Sequence, residues 1–308
     1  MSIRQLIKST NGGTLPPTGD LISAGSSYWV AIAASLTGEK LVAAAFGGNI
    51  AISGDFGKTW RERTEPGSRY WHAVASSADG SKLAIAALDG TIYTSADFGE
   101  TWQFRITTGI AYGIASSADG SKLVTGGPGA NIRTSADFGE TWQVIANSPT
   151  SCYHPSSSSD GSKLVVGNYS SDGYLYTSSN SGVSWVKRIA SPGEISHAWT
   201  GTATSADGQK ILAVSRSGDV FTSLNAGTTW NTSSGPFQAW RNATMSQDGT
   251  KMAICSEYGN ICTSADSGNT WTTITAAGIR DWRGIAMSGN GSFGIAGASG
   301  GYMYVFSI

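Results

Sequence analysis

The chain has little charge, and no surplus of either sign. Only 13% of its 308 residues are charged, and 20 Lys and Arg against 21 Asp and Glu leave a formal net charge of -1. That balance excludes the broad cationic footprint by which proteins hold nucleic acid. Cysteine is equally sparse: Cys152, Cys255 and Cys262 are too few for a disulfide framework. Cys255 and Cys262 flank a short turn and could face each other across two strands, but are expected to be free, half-buried thiols. The three histidines, His72, His154 and His197, fall in different parts of the chain at unequal offsets, so no metal site and no cofactor is expected. No apolar run approaches the roughly 20 residues that cross a bilayer as a helix, so no membrane insertion is expected. Residues Met1 to Thr10 lack the apolar core of a secretory signal, which makes the cytoplasm the expected compartment, or else export by a route the sequence does not display.

What the chain has in quantity is glycine, 41 residues, and tryptophan, 11. Both recur at a fixed period. The octet SGDFGKTW ends at Trp60, and near-copies end at Trp102, Trp142, Trp185, Trp230 and Trp271, in steps of 40 to 45 residues. A second marker, a tight turn closed by glycine and usually written Asp-Gly, falls at Gly38, Gly80, Gly120, Gly161, Gly208, Gly249 and Gly291. Seven units therefore stand against six octets. Each unit reads as four short runs separated by turns; in unit 2 these are WHAVASS, KLAIAAL, TIYTS and TWQFR. Runs of that length joined by tight turns are antiparallel strands. A period near 40 with four strands per unit predicts an all-β, seven-bladed β-propeller with four-stranded antiparallel blades. The second runs (LVAAAF, KLAIAAL, KILAV) barely alternate, as expected of sheets covered on both faces.

The whole chain, 1–308, is thus expected to be one domain: residues 1–27 as lead-in and closing strand, then seven units from about 28 to 308. Unit 7 runs out after its third strand. A segment within Ser2 to Ser23 is expected to supply the missing outer strand and close the ring, hiding two sheet edges. Ser9 to Thr14 even look like a worn octet in the right circular position.

The octets resemble the Asp-box, or bacterial neuraminidase repeat, S-x-D-x-G-x-T-W. The resemblance covers residues 53–271 and implies the propeller architecture; in Asp-box families the box itself is structural, and the families include sialidases, other glycosidases and non-catalytic propellers. The sialidase catalytic set is not matched. Its F/Y-R-I-P motif has only the echo Phe104-Arg105-Ile106-Thr107, which lacks the proline and follows an octet.

Alternate turns of a meander lie on opposite faces, so the Asp-Gly turns and octets should share one face, and ligands should be sought on the other, where the connections between units differ most. There a second tryptophan set marks the start of each unit's first strand: Trp29, Trp71, Trp199, Trp240 and Trp282. In units 3 and 4 the equivalents are Ala111 and Cys152, each followed by tyrosine, Tyr112 and Tyr153. Beside them cluster His72, Arg69, Arg241 and Arg283, with Tyr28, Tyr70 and Asp281, while the turns between second and third strands add Tyr169, Arg216, Glu257 and Tyr258. Aromatic rings among planar donors suit glycans or another small polar ligand. The expected function is a lectin-like, carbohydrate-binding propeller with repeated aromatic-lined sites. The alternatives are a glycosidase or polysaccharide lyase with one site on the same face, or a protein-interaction scaffold. The balance points away from an enzyme; no catalytic residue is assigned, and the candidates, were there one, are His197, Glu257 and Asp281.

Overall fold

A computed structural model describes residues 21–23, 27–169, 173–188, 197–233, 236 and 238–308. Among them the chain is all strand and turn apart from one 3-10 turn at Thr275–Ala277. The strands form six antiparallel sheets, five of four strands and one of eight. The eight-stranded sheet consists of the meanders of units 1 and 2, Trp29–Ala34 to Arg61–Arg63 and Arg69–Ser76 to Gln103–Thr107, joined where Phe46 pairs with Tyr70 and Gly48 with Arg69.

Short apolar runs become strands here because each is covered on both sides. In unit 2 the second strand, Leu83–Ala87, is buried at every position. The hydrophobic core is accordingly not one mass but seven clusters, each shared by two consecutive units: Phe56 and Phe293 meet between units 7 and 1, and Leu83 meets Val42 and Ile52 between units 1 and 2. Radially arranged four-stranded meanders packed face to face make a β-propeller.

The ring is held shut in two places. Leu21–Ser23 pairs antiparallel with the third strand of unit 7, Leu21 opposite Tyr304 and Ser23 opposite Tyr302, so the start of the chain completes the last sheet as expected. The worn octet at Ser9 to Thr14 lies outside the described residues. Around the axis, seven backbone hydrogen bonds of 2.7–2.8 Å link the Asp-Gly turns head to tail: Leu36 N–H donates to Ala78, Ala78 to Ala118, Ala118 to Ser159, and so on through Ala206, Gln247 and Gly289, which donates back to Leu36. A closed ring of such bonds pairs every turn with both neighbours, leaving no first or last member.

The octets sit on that same face. Their fourth residue donates its N–H to the Asp-Gly turn of its own unit, as Phe98 does to Ser81 at 2.8 Å. Within the turn, Ser95 Oγ donates to Asp97 Oδ1 and accepts from Gly99 N–H, while Thr101 donates to Asp97 through both its N–H and its hydroxyl. Phe98 and Gly99 both take a left-handed backbone, φ 58° and 80°. Such a network favours the charged form of the carboxylate, and hydrogen bonds from Thr141 and Thr270 hold Asp137 and Asp266 at about 2. Arg105, from the sialidase-like echo, lies in the outer strand Gln103–Thr107 and donates to Thr94 Oγ1, an ordinary strand contact.

The three cysteines are free and buried. Cys255 pairs with Ile261 and Cys262 with Ile254, a one-residue offset that puts the two sulfurs on opposite faces of the unit 6 sheet, in different core clusters.

Candidate functional site at the axial mouth

The first strands line the axis, and they begin with a shared irregularity. In units 1, 2, 5, 6 and 7 the register against the second strand slips by one between the tryptophan and the residue two places on, for example between Trp240 and Asn242. The residue between them is the extra residue of a β-bulge, left out of the ladder, and bulges re-aim side chains. Those residues are Val30, His72, Thr200, Arg241 and Arg283, with Tyr112 and Tyr153 at the matching positions of units 3 and 4. Below them the first strands approach so closely that a Cβ on Gly201 would stand 2.9 Å from Asn242 Cα.

This face is the one opposite the Asp-Gly turns. Trp199 Nε1 donates to the Gly173 carbonyl at 2.6 Å and Trp240 Nε1 to that of Gly218 at 3.0 Å, both in turns between second and third strands of the preceding unit. The indoles themselves are not available to ligand. Trp29, Trp71, Trp199, Trp240 and Trp282 are 0–2% exposed. The expectation that they are stacking platforms is therefore corrected: each wedges two neighbouring sheets together and keeps no free ring face. With them goes the symmetry of the expected sites, because what remains at the mouth differs from unit to unit.

One half of the mouth is aromatic. His72 and Tyr112 ring centres lie 4.6 Å apart, Tyr112 and Tyr153 4.5 Å, and Tyr153 and Tyr169 4.6 Å. His72 Nδ1 is 3.0 Å from the Tyr112 carbonyl, which can only accept, so Nδ1 carries the proton. Burial, then the charge of Arg241, pushes His72 down to about 4, and burial holds His154 well below the usual imidazole value. Both rings are neutral at neutral pH. Burial also raises the Tyr153 phenol.

The other half is ionic. Arg283 clasps Asp281, with Nη2–Oδ2 and Nε–Oδ1 both at 2.8 Å, and reaches Glu257 at 3.3 Å. Glu257 also takes Arg216 at 3.0 Å, and Arg216 donates to Tyr169 Oη at 3.3 Å, tying the ionic half to the aromatic one. Tyr28 donates to Asp281 and lies beneath Arg283. Both carboxylates are thus bound to arginine. Arg241 is the exception: among the described residues no hydrogen bond or ion pair reaches it. Its guanidinium is held below the ordinary arginine value by burial first and by Arg283 second, yet remains charged.

Two expected members stand apart. Arg69 turns to Asp89, at 3.3 Å, and to Tyr93 on unit 2. His197 pairs through Nδ1 with Asp219 at 3.0 Å and packs on Trp199 and Phe221 over unit 5. Tyr70 and Tyr258 are exposed, at 60% and 74%. Among the described residues no group of three His, Cys, Asp or Glu is placed to hold a metal ion. No helix among them is long and apolar enough to cross a membrane.

No family model and no curated protein matches the chain. Solved structures do match in shape. A structure of YCF48 bound to a D1 peptide superposes with a TM-score of 0.73 at 14% identity, over 94% of this chain and 96% of that one. YCF48 from Cyanidioschyzon merolae gives 0.71 at 14% identity, over 93% and 98%. A GH74 xyloglucanase from Xanthomonas campestris gives 0.73 at 14% identity, over 92% of this chain and 53% of that chain. At such identity the likeness is one of fold, and the fold is the β-propeller.

Proposed function

We propose that this chain is a single-domain, seven-bladed propeller of the Asp-box kind that binds a carboxylate-bearing saccharide at one asymmetric site on its axial mouth. The eight-stranded sheet, counted as two meanders, and the seven-membered ring of hydrogen bonds among the Asp-Gly turns support the reading of seven blades. The single observation that carries the binding site is Arg241. Arg241 is partly buried; a charged group partly withdrawn from water and without a protein partner is less well solvated than a free one, and a ligand of opposite charge offsets that loss. Around it the cations exceed the anions: Arg216, Arg241 and Arg283 face only Glu257 and Asp281. A planar carboxylate seated on Arg241 finds forked donors on one side and the Tyr112, Tyr153 and Tyr169 wall on the other, against which the apolar face of a sugar ring packs.

A binder is favoured over a hydrolase or lyase because, among the described residues of the mouth, Glu257 and Asp281 are both engaged by arginine, and His72, held at about 4, is a weak base. The peptide in the YCF48 structure, held by a propeller of matching size, supports a second reading, in which the carboxylate belongs to a peptide. A glycan array with neutral and uronate-bearing members, run beside peptides ending in a free or amidated carboxyl, separates the two. The expected result is retention of uronate-bearing glycans, lost by tenfold or more in Arg241→Gln. Equal binding by parent and variant would remove the site; selective binding of free-carboxyl peptides would replace the saccharide.

A further inference from the structure

The octets are not all alike at their fourth position, and the difference opens a second site. In units 1, 2 and 3 that residue is Phe56, Phe98 and Phe138; in units 4, 5 and 6 it is Ser181, Ala226 and Ser267. Each phenylalanine turns back into the gap against the preceding unit. Lys40 of unit 1 stands over the Phe98 ring at 5.2 Å, and Lys82 of unit 2 over Phe138 at 5.5 Å. Phe56 meets Phe293, which occupies the lysine position of unit 7.

In the gap between units 3 and 4 the arrangement is kept but the ring is missing. Lys82 Nζ is held over Phe138 by donating to the Asp119 carbonyl at 2.9 Å; Lys122 Nζ makes the equivalent bond to Asp160 at 2.8 Å, with Ser181 where a phenyl would lie. A cavity of about 230 Å³ lies there, lined by Lys122, Leu123, Thr134, Leu164, Ser181 and Val183. The next gap, with Ala226 beside Lys163, holds only about 80 Å³. In the one after, Lys210 reaches Ser267 Oγ at 3.4 Å.

Val183 adds an independent sign. The five other octets place Lys58, Glu100, Glu140, Thr228 or Asn269 after the glycine; here a valine, 70% exposed, forms an apolar lip on the cavity. Isolated exposed apolar residues are common, but this one borders the space that its sister gaps fill with an aromatic ring.

We propose that the gap between units 3 and 4 is a binding site for a small aromatic molecule of the phenol or benzyl class, whose ring takes the place that Phe98 and Phe138 take in their own gaps, beneath the Lys122 ammonium. The molecule supplies its own template, since two neighbouring gaps show which group fits and how the lysine meets it. The volume suffices: a cavity of about 150 Å³ admits benzene. This site is independent of the axial mouth.

Phenol titrated into the intact chain and followed by amide chemical shifts tests it. Saturable shifts at millimolar phenol, centred on Thr134, Leu164 and Val183, are expected. Ser181→Phe should raise Tm and weaken phenol binding at least tenfold, because it installs the missing ring; Phe56, Phe98 and Phe138 already adopt the left-handed backbone that Ser181 has, φ 57°, so the variant is expected to fold. Lys122→Met, which keeps the stem, should weaken binding about threefold. No saturable shift, or equal binding by parent and Ser181→Phe, would overturn the proposal. Binding of N-acetyl-phenylalanine amide without binding of phenol would overturn its small-molecule assignment.

Discussion

The two faces of the disc are built from the same seven units, yet one repeats itself and the other does not. On the corner face, Ser77, Ser117, Ser158, Ser205 and Ser246 each donate to the aspartate two residues on at 2.6 Å, and the turns close a ring of identical backbone bonds. On the mouth face the equivalent positions read Val30, His72, Tyr112, Tyr153, Thr200, Arg241 and Arg283. The lesson is one of division of labour. A corner must satisfy backbone groups in the same way in every unit, so its residues converge, whereas the side chain after the start of a first strand is not needed for the ladder of its own sheet and is free to differ.

The largest effect is expected from an indole. Trp240→Ala removes a fully buried ring wedged between sheets and should cost about 3–5 kcal/mol, read as a fall in Tm or in the denaturant midpoint. A variant that kept its stability but lost binding would return the indoles to the ligand. Next is the corner: Ser117 Oγ accepts from Lys122 N–H at 3.0 Å and donates to Asp119 at 2.6 Å, so Ser117→Ala should cost about 1–3 kcal/mol and leave binding at the mouth intact. Loss of binding with it would join two faces that the structure separates.

A titration of stability sharpens the comparison, since each face has its own window. His72, ordinarily at 6.5, lies at about 4 in the fold, so the unfolded chain takes up a proton that the folded chain refuses. Its contribution is full above pH 6.5 and fades as pH falls toward 4. Asp79, Asp119 and Asp248, ordinarily at 3.8, are held at about 2, first by their serine hydroxyls, so theirs is full above 3.8 and is lost as pH falls toward 2. Tm should therefore fall in two steps, and a His72→Gln, His154→Gln double variant should flatten only the upper one. A single step common to parent and variant would show that the mouth histidines carry no such linkage. The smallest effect is reserved for Arg241. Replacing it by methionine removes a guanidinium without a partner, so stability should stay within about 1 kcal/mol of the parent, or rise. A larger loss would mean that Arg241 holds the fold rather than a ligand.

Much of this was legible beforehand. The octets and Asp-Gly turns carry their own hydrogen-bond chemistry within a few residues, so Asp55, Asp97 and Asp137 announced their turns without any tertiary information. The need for a closing strand was legible too, because a unit with three strands leaves an edge. The site was only half legible. Periodicity picked out Trp29, Trp71, Trp199, Trp240 and Trp282, but a repeated aromatic reads the same whether it stacks on a neighbouring sheet or on a ligand, and burial is set by how closely the sheets approach. The better signal lay one residue further along. The position after each indole, or after Ala111 and Cys152 in units 3 and 4, varies around the repeat, and that irregularity marked Arg241, Arg283, His72, Tyr112 and Tyr153.

What the sequence by itself determined is the repeat: four short strands, a glycine turn and an octet per unit, each dictated by contacts a few residues apart. Only the tertiary structure decided which arginine of the mouth was left, among the described residues, without a hydrogen bond or ion pair, and which of the three gaps without a phenylalanine kept a cavity of about 230 Å³. Glu257, Arg216 and Arg283 come from three different units, as do Lys122 and Ser181 from two, and pairings between units depend on the angle and distance at which whole sheets meet around the axis, which no local pattern records.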